Sequence, residues 1–277
     1  MRVQLPGLTL SYEDAGALQA STLPTVLFLH GYPLNRRMWH PQMIGLAHSA
    51  RLLAPDLRGF GESGATAGAY SMELLADDLI AFLDQLGITQ PVLVCGLSMG
   101  GYIALALYRK YPQRVRGLIL TATRAAADSP EAKANRDKAI ALAEKEGAEA
   151  ITRLMLPKML AAQSFSSRPE LVNQVRKIML DSSVPGITGV LAGMRDRPDS
   201  TSLLSRITVP VQLIFGEEDQ FVSKPEVENM RSSIKDAQLH WIADAGHLIN
   251  LEQPEKFNLF VQEFLARFAG HNEQERE

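Results

Sequence analysis

Residues 92–102, VLVCGLSMGGY, decide how the rest of the chain is read. An apolar run from Val92 to Cys95 meets a glycine, a lone serine follows, and two more glycines come after it. The run before it has the character of a buried strand, and GYIALALYRKYP after it reads as a helix ended by Pro112. In that context Gly96-Leu97-Ser98-Met99-Gly100 fits G-x-S-x-G. A strand that bends abruptly into a helix forces its corner residue to a strained, positive φ. The positions two before and two after then come so close that only small residues fit. The serine hydroxyl is left above the carboxyl edge of a sheet, near a helix N-terminus whose amides favour developing negative charge. Taken alone, the pentapeptide reads equally well as a glycine–serine turn without chemistry.

Working outward, strand-like and helix-like segments alternate. Val3 to Asp14 reads as a hairpin turning at Pro6-Gly7. Thr25 to Gly31 is a near-continuous apolar run ending in glycine, and Arg51 to Gly59 is a shorter one of the same kind. Met72 to Gly87 has apolar residues at helical spacing and a terminal glycine. VRGLILTAT is a further strand. From Ala125 to Arg206 the rhythm changes: EAKANRDKAIALAEKEG, AEAITRLMLPKMLAA and RPELVNQVRKIML are successive amphipathic helices. Alternation then resumes with VPVQLIFG, KPEVENMRSSI, AQLHWIAD and PEKFNLFVQEFLARF. Strands separated by helices predict an α/β fold with a doubly wound, mostly parallel sheet. The expected organisation is a core of residues 1–124 and 207–270, an all-helical insertion over 125–206, and a disordered polar tail over 271–277.

Composition narrows the partners. The chain has 277 residues, 46% of them hydrophobic and 21% charged, with a formal net charge of -3. No long basic run appears, which argues against nucleic acid or an anionic membrane as the main partner. The single cysteine, Cys95, cannot form an internal disulfide. MRVQLPGLTLSYEDAG lacks a signal-peptide core, and no apolar run approaches membrane-spanning length, so a cytoplasmic protein is expected.

A serine hydroxyl needs a base. Of the six histidines, His247 stands out, because it follows a strand directly on a glycine turn ahead of the last helix. His240 lies within that strand, His40 and His48 in an early helical region, and His271 in the tail. The base in turn needs an acid to orient its ring and stabilise the imidazolium. FGEEDQF offers Glu217, Glu218 and Asp219 just after a strand, giving the chain order serine, acid, histidine. Asp219 is the first choice, since the chain turns inward after it, and Glu218 the second. An oxyanion hole needs backbone donors. Met99 N–H follows the serine, and LHGYPLN offers the N–H of Tyr32, where Gly31 permits close approach and Pro33 has no N–H to give. His30, at the end of its strand, is expected to hold this loop rather than to act as a base. Each signal is weak alone, and they agree in order and context.

The chain closely resembles the α/β-hydrolase superfamily over nearly its whole length. LHGYPLNRRMW, APDLRGFGES, VCGLSMGGYIAL, IFGEEDQFV and ADAGHLINLEQPE each match a family motif in the expected order. The resemblance implies Ser98 as nucleophile, His247 as base, Asp219 as acid, and Tyr32 and Met99 as oxyanion donors. It implies that residues 125–206 form a cap, that Asp56, Arg58 and Gly61 belong to a mostly structural loop, and that no cofactor or metal is needed. Haloalkane dehalogenases and epoxide hydrolases carry aspartate where Ser98 stands, and proline iminopeptidases usually show a GGSWG-type turn. The match is better to carboxylesterases, haloperoxidase-type perhydrolases and 3-oxoadipate enol-lactonases.

The expected substrate is therefore a small, mainly apolar carboxylic ester or lactone, with perhydrolysis as a side reaction. The enzyme is taken as monomer or homo-oligomer. The pocket is expected between the serine turn and the cap, lined by Trp39, Phe221, Val222, Leu248, Met155 and Met159, with Trp39 and Phe221 at the entrance. Two rivals use the same triad. A ligand-sensing receptor would turn over slowly, and a carbon–carbon bond hydrolase would need basic residues facing the pocket, such as Arg124, Arg153 or Arg195.

Overall fold

The computed structural model describes residues 1–16 and 23–268; the tail expected over 271–277 lies outside them. Its strands are β1 (Arg2–Leu5), β2 (Leu8–Ala15), β3 (Thr25–Leu29), β4 (Arg51–Pro55), β5 (Val92–Leu97), β6 (Val115–Thr121), β7 (Val211–Gly216) and β8 (Gln238–Ile242). They form one sheet in the order β1-β2-β4-β3-β5-β6-β7-β8. The β1–β2 hairpin and the β2–β4 pairing are antiparallel; every other pairing is parallel.

The core helices are α1 (His40–Gly45), α2 (Met72–Gln85) and α3 (Met99–Lys110). After them come α4 (Pro130–Met159), α5 (Ser164–Ser167), α6 (Pro169–Leu180), α7 (Val184–Arg195) and α8 (Thr201–Leu204), then α9 (Lys224–Ser233), α10 (Ile249–Glu252) and α11 (Pro254–Ala266). Alternate strand residues feed two apolar layers, as a sheet covered on both faces requires. Leu27, Leu29, Val92 and Val94 join α2 and α3 on one side. Val26, Phe28, Leu93, Cys95 and Leu97 meet α1 and α11 on the other.

Strand order reverses between β3 and β5. The chain steps outward from β3 to β4, then crosses back to place β5 on the far side of β3, with Leu29 opposite Gly96. At such a switch point the loops leaving the two strands diverge and open a crevice at the carboxyl edge. The Gly31–Tyr32 loop and Ser98 leave from these two strands.

Among the described residues, every element between β6 and β7 is helical. The two helices read from sequence over 131–162 run together as α4, broken at Gly147 where φ is 73° and ψ −166°. VPGITGVLAGMR, outside the three segments with helical spacing, forms α7. Its glycines suggest turns, yet here they let the helix sit directly on another backbone. A Cβ at Gly186 would meet the Gly59 carbonyl at 2.1 Å, and one at Gly193 would meet that of Tyr70 at 1.7 Å. Tertiary contact outweighs the propensity cost of about 1 kcal/mol per glycine.

Candidate active site

Ser98 stands at the corner between β5 and α3 with φ 55° and ψ −113°, the strained backbone expected for the bend. The corner is held from both sides: Ser98 N–H donates to Thr121 O at 2.9 Å, and Thr123 Oγ1 donates to Ser98 O at 2.8 Å. A Cβ at Gly96 would come 2.3 Å from the Gly100 carbonyl, which explains the small flanking residues. Met99 is the first residue of α3, so its N–H has no intrahelical acceptor. A Cβ at Gly31 would stand 3.5 Å from Ser98 Cβ, so the Tyr32 loop runs alongside the serine.

His247 follows β8 and is buried. Its Nδ1 lies 2.9 Å from Asp219 Oδ2 and 3.1 Å from Oδ1. A carboxylate can only accept, so the ring proton sits on Nδ1 and Nε2 keeps the lone pair. The Asp219 side chain is 1% exposed and accepts the N–H of Phe221 at 2.7 Å and of Val222 at 3.3 Å. Burial pushes its carboxyl up, but His247 and these two amides outweigh it and hold it below the usual carboxylate range. Glu217 and Glu218 are exposed to solvent. Arg124 donates to the Phe221 carbonyl and pairs with Glu226 at 3.1 Å, tying the end of β6 to the acid loop.

A strained serine after β5, a histidine after β8 fixed by a buried aspartate after β7, and a glycine loop after β3 occupy one sheet edge. The family model for the alpha/beta hydrolase fold matches residues 24–254. The chain belongs to the α/β-hydrolase family.

Among its relatives, a thermophilic esterase from Thermogutta terrifontis, solved with malate bound, has a TM-score of 0.92 and 39% identity, covering 97% of this chain and 99% of that one. The enol-lactonase from Burkholderia xenovorans has a TM-score of 0.89 and 27% identity, covering 96% of this chain and 100% of that one. The 3-oxoadipate enol-lactonase 2 of Acinetobacter baylyi is 28% identical over 245 residues, 88% of this chain and 90% of that one.

In this α/β-hydrolase the predicted pocket residues divide. Phe221 and Met155 are half-buried and pack against both apolar layers, and the Phe221 ring centroid lies 4.7 Å from that of His247. Trp39 does not line an entrance. It is fully buried between Phe28 and Phe257, at 4.8 and 6.0 Å between ring centroids, because the turn Arg36–Trp39 folds inward beneath the sheet. Leu248 and Met159 are also fully buried and bond to each other through the backbone, Leu248 N–H donating to Met159 O at 3.0 Å. Val222 is buried in the α9 layer.

The basic residues expected of a carbon–carbon hydrolase are each paired: Arg124 with the Phe221 carbonyl and Glu226, Arg153 with Glu146, and Arg195 with Asp137 and Asp196. His30 acts as a strut, since its Nε2 accepts the Leu57 N–H at 3.0 Å. Asp56 is fully buried, pairs with Arg36, and accepts the N–H of Arg36 at 2.8 Å and of Glu62 at 2.9 Å.

Sequence reading passed over two groups. Asp128 takes Arg197 at 2.7 Å and Arg136 at 2.9 Å, joining the entry of the helical segment to its exit. Glu252 is 1% exposed and lies in LINLEQPE, which was read only as a family motif. Among the described residues no His/Cys/Asp/Glu grouping suits a metal ion, and no helix is long and apolar enough to cross a membrane.

Proposed function

We propose that this α/β-hydrolase is a serine hydrolase of small, mainly apolar carboxylic esters or lactones, working through an acyl-enzyme. The observation that carries the reading is the His247 ring held by buried Asp219, with its Nε2 left as the free basic nitrogen. Ser98 Oγ attacks the ester carbonyl while His247 Nε2 takes its proton. The tetrahedral oxyanion is received by the N–H groups of Tyr32 and Met99. The intermediate collapses, and His247 returns the proton to the departing alcohol. Water, deprotonated by the same nitrogen, then releases the acid and restores Ser98. Asp219 keeps the ring in the productive tautomer and stabilises the imidazolium in both halves.

Residues 125–206 are assigned as the cap, and Phe221, against the His247 ring, and Met155 as apolar lining of the pocket. The relatives described as esterase and enol-lactonase support an ester-type bond as the target. The test is Ser98→Ala assayed with p-nitrophenyl esters of increasing chain length, with and without peroxide. Hydrolysis should fall by about 10⁴-fold or more with the melting temperature preserved. Wild-type turnover by that variant would overturn the reading.

A further inference from the structure

His247 is flanked by two residues whose backbones are anchored to the same short piece of the helical segment. On the C-terminal side, Leu248 N–H donates to Met159 O at 3.0 Å. On the N-terminal side, Gly246 N–H donates to Glu252 Oε2 at 2.7 Å. The other oxygen of that carboxylate, Oε1, accepts Ala161 N–H at 2.8 Å and Ser164 Oγ at 2.6 Å. There is no slack at the seam: a Cβ at Gly246 would meet Ala161 N at 2.6 Å. Arg168 donates to the Glu252 carbonyl, and Gln163 reaches Asp244 at 3.2 Å across the same seam.

We propose that Glu252 is a positioning residue for His247, a buried carboxylate that locks the histidine turn onto residues 159–164 where α4 ends. The proposal rests on the assignment of His247 as the base. Asp219 fixes the ring from its Nδ1 side; Glu252 fixes the backbone from which the ring hangs. Burial pushes the Glu252 carboxyl up, and its three donors and Arg168 only partly offset this. A buried carboxylate is expensive, and here it satisfies two main-chain N–H groups that would otherwise be orphaned. Without it the turn has to rotate to find new acceptors, and the ring rotates with it. A general base tolerates about 0.5 Å of displacement, so the loss appears in turnover rather than in substrate binding.

The test compares Glu252→Gln, Ser164→Ala and Ser98→Ala in the full chain, on p-nitrophenyl butyrate at 25 °C, with the folded fraction of each checked by circular dichroism. In Glu252→Gln the amide keeps the shape of the side chain but turns a donor toward Gly246 N–H or Ala161 N–H. Its kcat should fall by roughly 10- to 100-fold, with KM within about twofold of wild type. Ser164→Ala removes one donor and should show a smaller kcat loss with the same split; it decides the matter if Glu252→Gln does not fold. Folded variants with wild-type kcat, or with KM raised at unchanged kcat, would overturn the proposal. If Ser98→Ala is inactive in that same experiment, the esterase reading survives; if it is active, that reading fails first.

Discussion

Asp219 meets His247 with both carboxylate oxygens, at 2.9 and 3.1 Å from Nδ1, while one of them, Oδ1, also accepts the Phe221 amide at 2.7 Å. The acid is therefore held by its own loop before it holds the ring. Asp219→Asn would offer an amide N–H to Nδ1 and favour the tautomer with its proton on Nε2, which cannot act as base. We expect kcat to fall by about 10³- to 10⁴-fold. Glu218→Ala, one residue away and exposed, should stay within about twofold of wild type. Equal losses in the two variants, read from steady-state ester hydrolysis, would show that Asp219 has been misassigned.

Asp128 supplies a pH signature. Burial pushes its carboxyl up, but Arg136 and Arg197 overcome this and leave it below the usual range. A carboxyl depressed on folding contributes stability that is present above its unfolded pKa of about 3.9 and is lost as pH falls through the lower folded value. The melting-temperature gap between wild type and Asp128→Asn should be full at neutral pH and close as pH drops below about 4. A gap that stays constant from neutral pH to about pH 3 would remove the ion pairs from the stability account.

Tyr32 carries its hydroxyl in a buried position with no partner among the described residues, and burial pushes the phenol up. An unpaired buried hydroxyl costs about 1–3 kcal/mol. Tyr32→Phe keeps the backbone N–H and removes that cost, so the folded protein should melt several degrees higher. A lower melting temperature would mean that the hydroxyl has a partner in solution.

Local rules carried much of the fold. The buried strands Thr25–Leu29, Val92–Leu97 and Val211–Gly216, and the helices Met72–Gln85 and Pro254–Ala266, lie where apolar spacing puts them. The strained Ser98 backbone followed from the glycines around it, because a tight bend and its small neighbours are one local constraint. The α7 helix was not legible, since its glycines serve a contact with Gly59 and Tyr70, more than a hundred residues earlier. Trp39 misled for a related reason. A large aromatic after the Gly31 loop fits a pocket wall as well as a core plug, and only the packing of Phe28 and Phe257 around it distinguishes them.

Read as a one-dimensional pattern, the chain specifies the α/β alternation, the helical insertion and the serine turn, because each depends on residues within a few positions of one another. Which acid faces the histidine and which groups Glu252 bonds are decided by burial. Burial is a property of segments far apart in sequence: Asp219 is closed off while Glu218 beside it is solvated, and Glu252 joins Gly246 to Ala161 across a seam that no local spacing records. VLVCGLSMGGY presents the hydroxyl, and the folded sheet brings the acid loop, the histidine turn and the end of α4 to the same edge.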